Sequence, residues 1–214
     1  MNRRYDAVLF DLLTALLDSW SLWDAVATGD GVGRRWRAAY LAMTYRAGRY
    51  QPYEGLVADA AEAAGMPRTL AADLASRYGE IEPWPEAVSV LRALRDAGVS
   101  LGVVTNCSDS LGHLAAGRIT VPFDVVVTAE RAGYYKPEPQ PYRLALAELV
   151  TTHDRCLFVA GSPYDLFGAA HVGLTTWWHN RIGMTRPADA PAPAACCRTL
   201  APLVSYVLGE TSAG

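Results

Sequence analysis

Four short apolar runs in this sequence end in, or lead to, polar side chains that could take part in chemistry. Asp11 follows the first run, Thr105 and Asn106 end the second, and Lys136 and Asp165 follow the third and fourth. A carboxylate shielded from water can attack an electrophilic carbon, and a nearby lysine keeps that carboxylate ionised. A second carboxylate can activate water. These residue types suit hydrolysis through a covalent ester on Asp11.

The polar residues can meet only if the apolar runs are strands of one sheet. Each run is continuously apolar, which is typical of a parallel sheet covered by helices on both faces. Strands are predicted at residues 5–10, 100–105, 123–128, 156–160 and 175–178. Helices are predicted at residues 85–97, 139–150, 163–171 and 199–208. This alternation predicts an α/β fold with a doubly wound, Rossmann-like parallel sheet, in which ligands bind at the carboxyl ends of the strands.

Residues 15–84 have a different character, because they show no strand pattern and are rich in Ala, Trp, Tyr and Arg. We therefore expect an α/β core formed by residues 1–14 and 85–214, and a helical cap formed by residues 15–84. An insertion directly after the first strand would lie over the carboxyl ends of the strands. The Pro- and Ala-rich residues 185–195 are expected to cross the surface before the last helix.

Composition narrows the expected partners and location. The formal net charge of −3 favours neither nucleic acid nor a membrane surface, since both usually select a basic excess. No apolar stretch reaches the roughly 18 residues of a membrane span, and Asp6 and Asp11 interrupt the N-terminal run that could pass for a signal peptide. The four cysteines lack zinc spacing. We expect a cytoplasmic protein with reduced thiols.

The motifs resemble those of the haloacid dehalogenase superfamily. VLFD ending at Asp11, VVTN ending at Asn106, YKPEP around Lys136 and LFV leading to Asp165 look like its four motifs, in the same order. The resemblance implies that Asp11 is the nucleophile, that Lys136 balances its charge, and that Asp165 orients or activates the hydrolytic water. It implies an anion-binding role for Thr105 and Asn106.

Two departures from the superfamily's phosphatases argue against a metal. Leu13 stands where they carry a second Asp, and Ser162 and its two preceding residues supply no carboxylate where they bind metal. Because Mg²⁺ needs oxygen ligands, a site with only Asp11 and Asp165 as charged ligands predicts metal-independent chemistry without a cofactor. A Mg²⁺-dependent small-molecule phosphatase and a catalytically inactive binding protein remain the alternatives.

The metal-free branch that the chain resembles is the L-2-haloacid dehalogenases, in which Asp displaces halide beside a carboxylate. Trp36-Arg37, with Thr44-Tyr45 further along, resembles the cap helix that carries the leaving-group arginine of that family. A surface arginine at a basic helix start is the alternative for Arg37. The resemblance implies a small carboxylic acid as substrate, a 2-hydroxy acid as product and a homodimer. The expected substrate contacts are Leu12, Leu13, Arg37, Thr105, Asn106, Ser162 and Tyr164.

The leaving group is less clear, because the sequence departs from the dehalogenases around it. They have Tyr, Thr, Asn and Trp where Leu13, Ala15, Ser162 and Tyr164 stand. These changes favour a second member of the branch, azetidine-2-carboxylate hydrolase, which opens a ring by C–N cleavage; C–halide cleavage is a close second. The aromatic residues of the cap could hold its cationic amine by cation–π contact. These are Trp20, Trp23, Trp36, Tyr40 and Tyr45. An Arg37 that points at the leaving group would instead favour halide and repel an ammonium.

Overall fold

A computed structural model describes residues 3–29 and 31–210, and its centre is a six-stranded parallel sheet. The strands are β1 (Ala7–Phe10), β2 (Ser100–Thr105), β3 (Val125–Thr128), β4 (Cys156–Ala160), β5 (Thr175–His179) and β6 (Ala195–Cys197). Their order is β3-β2-β1-β4-β5-β6, and every pairing is parallel. The doubly wound α/β fold predicted from the sequence is therefore confirmed. The strand order reverses between β1 and β4, which is where such sheets bind ligands.

Helices cover both faces of this sheet and fill the long connection between β1 and β2. They are α1 (Ser19–Ala27), α2 (Val32–Ala47), α3 (Tyr53–Ala63), α4 (Leu70–Ser76), α5 (Ala87–Asp96), α6 (Asp109–Ala116), α7 (Ala129–Ala132), α8 (Pro139–Glu148), α9 (Pro163–His171) and α10 (Leu203–Leu208). A short 3-10 helix spans Tyr78–Glu80. Within residues 3–29 and 31–210, no helix is both long and apolar enough to cross a membrane.

The connection between β1 and α5 begins and ends at a narrow neck. Leu17 and Pro83 form an antiparallel bridge, and the backbone N–H of Trp84 donates to the carbonyl of Leu16 at 2.9 Å. The four helices beyond this neck pack mainly on one another, for example through the Trp23 and Trp36 rings, whose centroids are 4.6 Å apart. The predicted boundary between core and cap falls at this neck and stays a prediction.

The sheet differs from the prediction at one edge. No strand is predicted after residue 178, but Ala195–Cys197, at the end of the expected surface crossing, pairs with β5. Three residues without a β-branched side chain carry almost no strand signal. The free edge of β5, rather than local propensity, accounts for this strand.

Candidate active site

Three ionisable side chains meet at the switch point of the sheet. Asp11 follows β1, Asp165 lies in the first turn of α9, and Lys136 lies in the loop between α7 and α8. The Nζ of Lys136 is 2.8 Å from Oδ1 of Asp11 and 2.8 Å from Oδ1 of Asp165, and all three residues are buried. The sequence predicts that these three residues meet, and in the fold they are in direct contact.

The carboxylate of Asp11 is held by its own turn. Its Oδ2 accepts hydrogen bonds from the Thr14 backbone N–H at 2.9 Å, the Thr14 hydroxyl at 2.6 Å and the Ala15 N–H at 3.3 Å. Burial raises the pKa of Asp11, but the charge and hydrogen bond of Lys136, together with the bonds from Thr14, bring the pKa below its ordinary value. Asp11 is therefore ionised at neutral pH, as a nucleophile must be.

Asp165 is held in a matching way by a capping box at the start of α9. Its Oδ2 accepts from the backbone N–H groups of Gly161 and Ser162 at 3.1 and 3.0 Å, and from the Ser162 hydroxyl at 3.2 Å. Burial raises the pKa of Asp165, and Asp11 adds to this rise against the opposing charge of Lys136. A raised pKa makes Asp165 the stronger base of the two carboxylates.

Lys136 is the only lysine in the chain, and its backbone is fixed by Asn106. The Asn106 amide donates to the Lys136 carbonyl at 3.1 Å and accepts from the Lys136 N–H at 2.7 Å. Burial lowers the pKa of Lys136, but the two carboxylates outweigh it and raise the pKa above the ordinary value. Asn106, predicted to contact substrate, thus uses its amide to place the lysine.

One face of α2 closes the cavity above these residues. Arg37, Tyr40, Leu41, Thr44 and Tyr45 follow the three-and-four spacing of a helix face, and all five line the cavity that Asp11, Lys136 and Asp165 also line. The cavity encloses about 30 Å³, so only a small substrate fits without a shift of the surrounding side chains. This spacing on α2 would have found Leu41 and Thr44, the two members of the face that were not assigned to substrate from the sequence.

Arg37 is a buried cation, and it has no anionic partner among residues 3–29 and 31–210. It is 1 % exposed, and its Nε and Nη1 atoms find no hydrogen-bond partner among the described residues. Its guanidinium carbon lies 5.4, 5.0 and 5.7 Å from the ring centroids of Trp20, Trp23 and Tyr40. The alternative of a surface arginine is wrong. Because these rings already contact Arg37, they are not free to hold a second cation.

Of the other residues predicted to contact substrate, four line the cavity and one does not. Leu13, Thr105, Ser162 and Tyr164 line the cavity, and the buried Thr105 hydroxyl has no hydrogen-bond partner among the described residues. Leu12 was expected at the substrate, but its side chain packs in the hydrophobic core and does not line the cavity. In a tight turn the side chain after the nucleophile points away from the strand end, which the sequence does not show.

Two further polar residues were missed by sequence reasoning. Thr14 donates two hydrogen bonds to Asp11, from its backbone N–H and from its hydroxyl. Tyr142, on α8, has a fully buried hydroxyl without a partner in the described chain, and its pKa is raised by burial and by the nearby Asp165 and Asp11. Its place six residues after Lys136, on the inner side of the crossover helix, was the available signal.

The donors at this site do not fit a Mg²⁺ ion. One oxygen of each carboxylate is paired with Lys136, and the other accepts three hydrogen bonds. The carbonyl of Leu13, which stands where the phosphatases carry a second Asp, accepts a hydrogen bond from Ser19. No cluster of three or more His, Cys, Asp or Glu side chains suited to a metal occurs within the described ranges. The cation that contacts both carboxylates is Lys136.

A carboxylate–lysine–carboxylate cluster at the switch point of a doubly wound sheet suits a hydrolase that uses a carboxylate in covalent catalysis. The family model described as haloacid dehalogenase-like hydrolase matches residues 5–173. The chain belongs to the haloacid dehalogenase-like hydrolases.

Individual relatives show the same likeness over nearly the whole chain. The chain is 27 % identical to (S)-2-haloacid dehalogenase H-109 of Pseudomonas putida, over 95 % of this chain and 98 % of that protein. The crystal structure of the L-2-haloacid dehalogenase RSc1362 has a TM-score of 0.83 at 28 % identity, covering 95 % and 98 % of the two chains. A structure of the Xanthobacter autotrophicus enzyme with chloropropionic acid covalently bound has a TM-score of 0.85 at 22 % identity, covering 97 % and 100 %.

Proposed function

We propose that this hydrolase converts a small L-2-haloacid into a 2-hydroxy acid through a covalent ester on Asp11, without a metal. The observation that carries the proposal is that one cavity holds both groups that this reaction needs: an anionic nucleophile and a positive charge for the leaving group. Its floor holds the ionised Asp11 paired with Lys136, and its roof holds the positive charge of Arg37, which no anion of the described residues pairs. The dehalogenase relatives support the same reaction.

The hydrogen bonds distinguish the two oxygens of Asp11. Oδ2 accepts three hydrogen bonds, whereas Oδ1 accepts only the one from Lys136. Oδ1 therefore keeps a lone pair for attack on carbon 2 of the substrate. A bond forms between Oδ1 and carbon 2, and the carbon–halogen bond breaks with its electron pair on the departing halide. The unpartnered Thr105 hydroxyl is the donor that we assign to the substrate carboxylate.

The position of Arg37 supports halide rather than an amine as the leaving group. A departing halide gains negative charge, which the guanidinium stabilises, whereas a departing ammonium would be repelled. Three of the five aromatic rings that could have hosted an amine, those of Trp20, Trp23 and Tyr40, contact Arg37 instead. The order favoured by sequence, ring opening before halide release, is thus reversed, and azetidine-2-carboxylate becomes the second substrate to test.

The test is a single turnover in ¹⁸O water with enzyme in excess, offering L-2-chloropropionate and L-azetidine-2-carboxylate separately. We expect turnover of the chloride, with ¹⁸O in the Asp11 peptide and ¹⁶O in the new hydroxyl, as read by mass spectrometry. Asp11→Asn should abolish turnover. Asp6→Asn is the matched control, since Asp6 lies at the other end of β1 in exposed ion pairs with Arg3 and Arg155.

Each other outcome contradicts a different part of the proposal. Turnover of azetidine-2-carboxylate alone would keep the ester and overturn the halide. Label in the product hydroxyl, with an unlabelled Asp11 peptide, would mean direct attack by water. Release of phosphate from an aryl phosphate, dependent on added Mg²⁺, would make the chain a phosphatase.

A further inference from the structure

In the turn after Asp11, formed by Leu13–Leu16, each of the four carbonyl oxygens accepts a hydrogen bond from a donor elsewhere in the chain. The donors come from the start of α1, from the residue at the neck before α5, and from the end of β5. The bonds are Ser19 Oγ to the Leu13 carbonyl, Trp84 Nε1 to that of Thr14 at 3.1 Å, His179 Nδ1 to that of Ala15 at 2.7 Å, and Trp84 N to that of Leu16 at 2.9 Å.

These bonds fix the direction of the N–H groups in the same peptide planes. A peptide unit is planar, and its C=O and N–H point in opposite directions. The Leu13 carbonyl shares a plane with the Thr14 N–H, and the Thr14 carbonyl shares one with the Ala15 N–H. Holding the carbonyls on Ser19 and Trp84 therefore aims both N–H groups at Asp11 Oδ2, and polarises them.

The same turn packs against the β4–α9 loop with no room to spare. A side chain at Gly161 would collide with Thr14 and Ala15, while the Gly161 N–H donates to Asp165. The turn is thus held from the sheet side as well, and its N–H groups are pre-organised before substrate binds.

We propose that this turn is an oxyanion hole for hydrolysis of the aspartyl ester, and that Ser19 and Trp84 are the positioning residues that aim it. The inference rests on the proposed function, since it concerns the second half of that reaction. Three donors, the Thr14 N–H, the Thr14 hydroxyl and the Ala15 N–H, surround the oxygen that becomes negative.

Hydrolysis of the ester takes place by addition of water and collapse of the tetrahedral intermediate. Water bonds to Cγ of Asp11 as Asp165 takes one of its protons, and the carbonyl electron pair moves onto Oδ2. Collapse restores the C=O bond and breaks the Cγ–Oδ1 bond. The leaving alkoxide takes the proton from Asp165 and departs as the 2-hydroxy acid. The regenerated Asp11 carboxyl then ionises, because its pKa lies below the ordinary value.

The two half-reactions place opposite demands on these donors. When the ester forms, Oδ2 loses negative charge as it becomes a carbonyl oxygen, so donors to Oδ2 do not assist. When water adds, Oδ2 gains a full charge, and the donors stabilise it. Weakening the aim of the turn must therefore slow ester hydrolysis and spare ester formation, which general damage to the fold would not do.

The experiment follows both steps with L-2-chloropropionate by rapid quench and intact-protein mass spectrometry. We expect Trp84→Phe to form the ester within about threefold of the wild-type rate, to hydrolyse it about tenfold more slowly, and so to accumulate it. Ser19→Ala should show the same split. Thr14→Val, which removes a direct donor, should slow hydrolysis about 100-fold.

The matched control is Trp178→Phe, because the Trp178 Nε1 on β5 is buried without a partner in the described chain. It should leave both rates unchanged. Ester formation by wild type with unchanged hydrolysis in both Trp84→Phe and Ser19→Ala would overturn the oxyanion hole alone. Equal slowing of both steps would reduce these residues to a structural role. An ester that never forms on wild type would overturn the proposed function, and this inference with it.

Discussion

The floor and the roof of the cavity each bury one cation, but in opposite electrostatic surroundings. On the floor, Lys136 lies 2.8 Å from a carboxylate on either side. On the roof, Arg37 has aromatic faces around it and no anionic side chain from the described part of the chain. The charges of the floor are balanced without a ligand, whereas the charge of Arg37 would be balanced by a bound anion. A buried cation that supports a nucleophile is thus paired with carboxylates, whereas a buried cation that would bind an anion is left without one.

The comparison predicts that the two cations differ in their effect on stability. Breaking a buried ion pair leaves its partners uncompensated and costs about 3–5 kcal/mol. A buried cation without a partner is itself unfavourable, although cation–π contacts offset part of that cost. Removing the charge of Lys136 should therefore lower the free energy of unfolding, and removing that of Arg37 should raise it. Each substitution should lower activity.

The largest effect is expected for Lys136→Met. We expect no measurable turnover, and a loss of about 3–5 kcal/mol in the free energy of unfolding at pH 7, measured by urea denaturation. Lys136→Arg is the charge-retaining control and should recover much of the stability. Equal stability of Lys136→Met and wild type would contradict the interpretation of the floor as an ion-pair network.

The free energy of unfolding of wild type and of Lys136→Met should also depend differently on pH. In wild type the pKa of Asp11 is lowered, so its contribution to stability is present above the unfolded value and lost as pH falls through the folded value. Without Lys136, burial and mutual repulsion raise the pKa of both carboxylates. The stability deficit of Lys136→Met should therefore shrink as pH falls from 7 towards 4, and a deficit that grows would contradict this.

The second prediction concerns the roof. Arg37→Met should lower kcat/KM for L-2-chloropropionate by about 100- to 1,000-fold, because the charge on the departing halide is no longer stabilised. Its free energy of unfolding should rise by about 1 kcal/mol. Arg35→Met, two residues earlier on the exposed face of α2, is the matched control for loss of a positive charge.

A halide titration tests the same idea without turnover. Sodium bromide, compared with sodium methanesulfonate at equal ionic strength, should raise the Tm of wild type and of Arg35→Met but not that of Arg37→Met. An equal response of all three proteins would show that Arg37 is not the anion-binding group.

The sequence predicted the floor better than the roof, for physical reasons. Asp11 and Asp165 follow strands whose continuous apolar character is visible in a short window, and parallel strands bring their carboxyl ends to one edge. Their meeting therefore depends on the topology of the sheet alone. Lys136 sits farther from its strand, and its loop is placed by the Asn106 amide, a long-range pairing that local patterns do not show.

The roof depends on how a helix is rotated above the sheet, which the sequence leaves open. Arg37 could face solvent or substrate until the packing of Trp20 and Trp23 around it is known. The edge strand β6 and the direction of the Leu12 side chain were missed for a similar reason. A neighbouring chain segment determines each of them, rather than the residue's own propensity.

The smallest effect is expected where roof and floor touch directly. The Tyr45 ring on α2 lies 4.9 Å from that of Tyr164 and 5.7 Å from that of Phe167, both on α9. An aromatic pair of this kind contributes about 0.5–1.5 kcal/mol beyond its buried area. Tyr45→Leu should therefore raise the KM for L-2-chloropropionate about two- to fivefold and change kcat less than twofold, because the ring supports the closed cavity without touching the transferred charge. Tyr45→Phe keeps the ring and should match wild type in steady-state kinetics. A loss of kcat in Tyr45→Phe would instead show that the Tyr45 hydroxyl takes part in the chemistry, and would contradict a role limited to packing between the two regions.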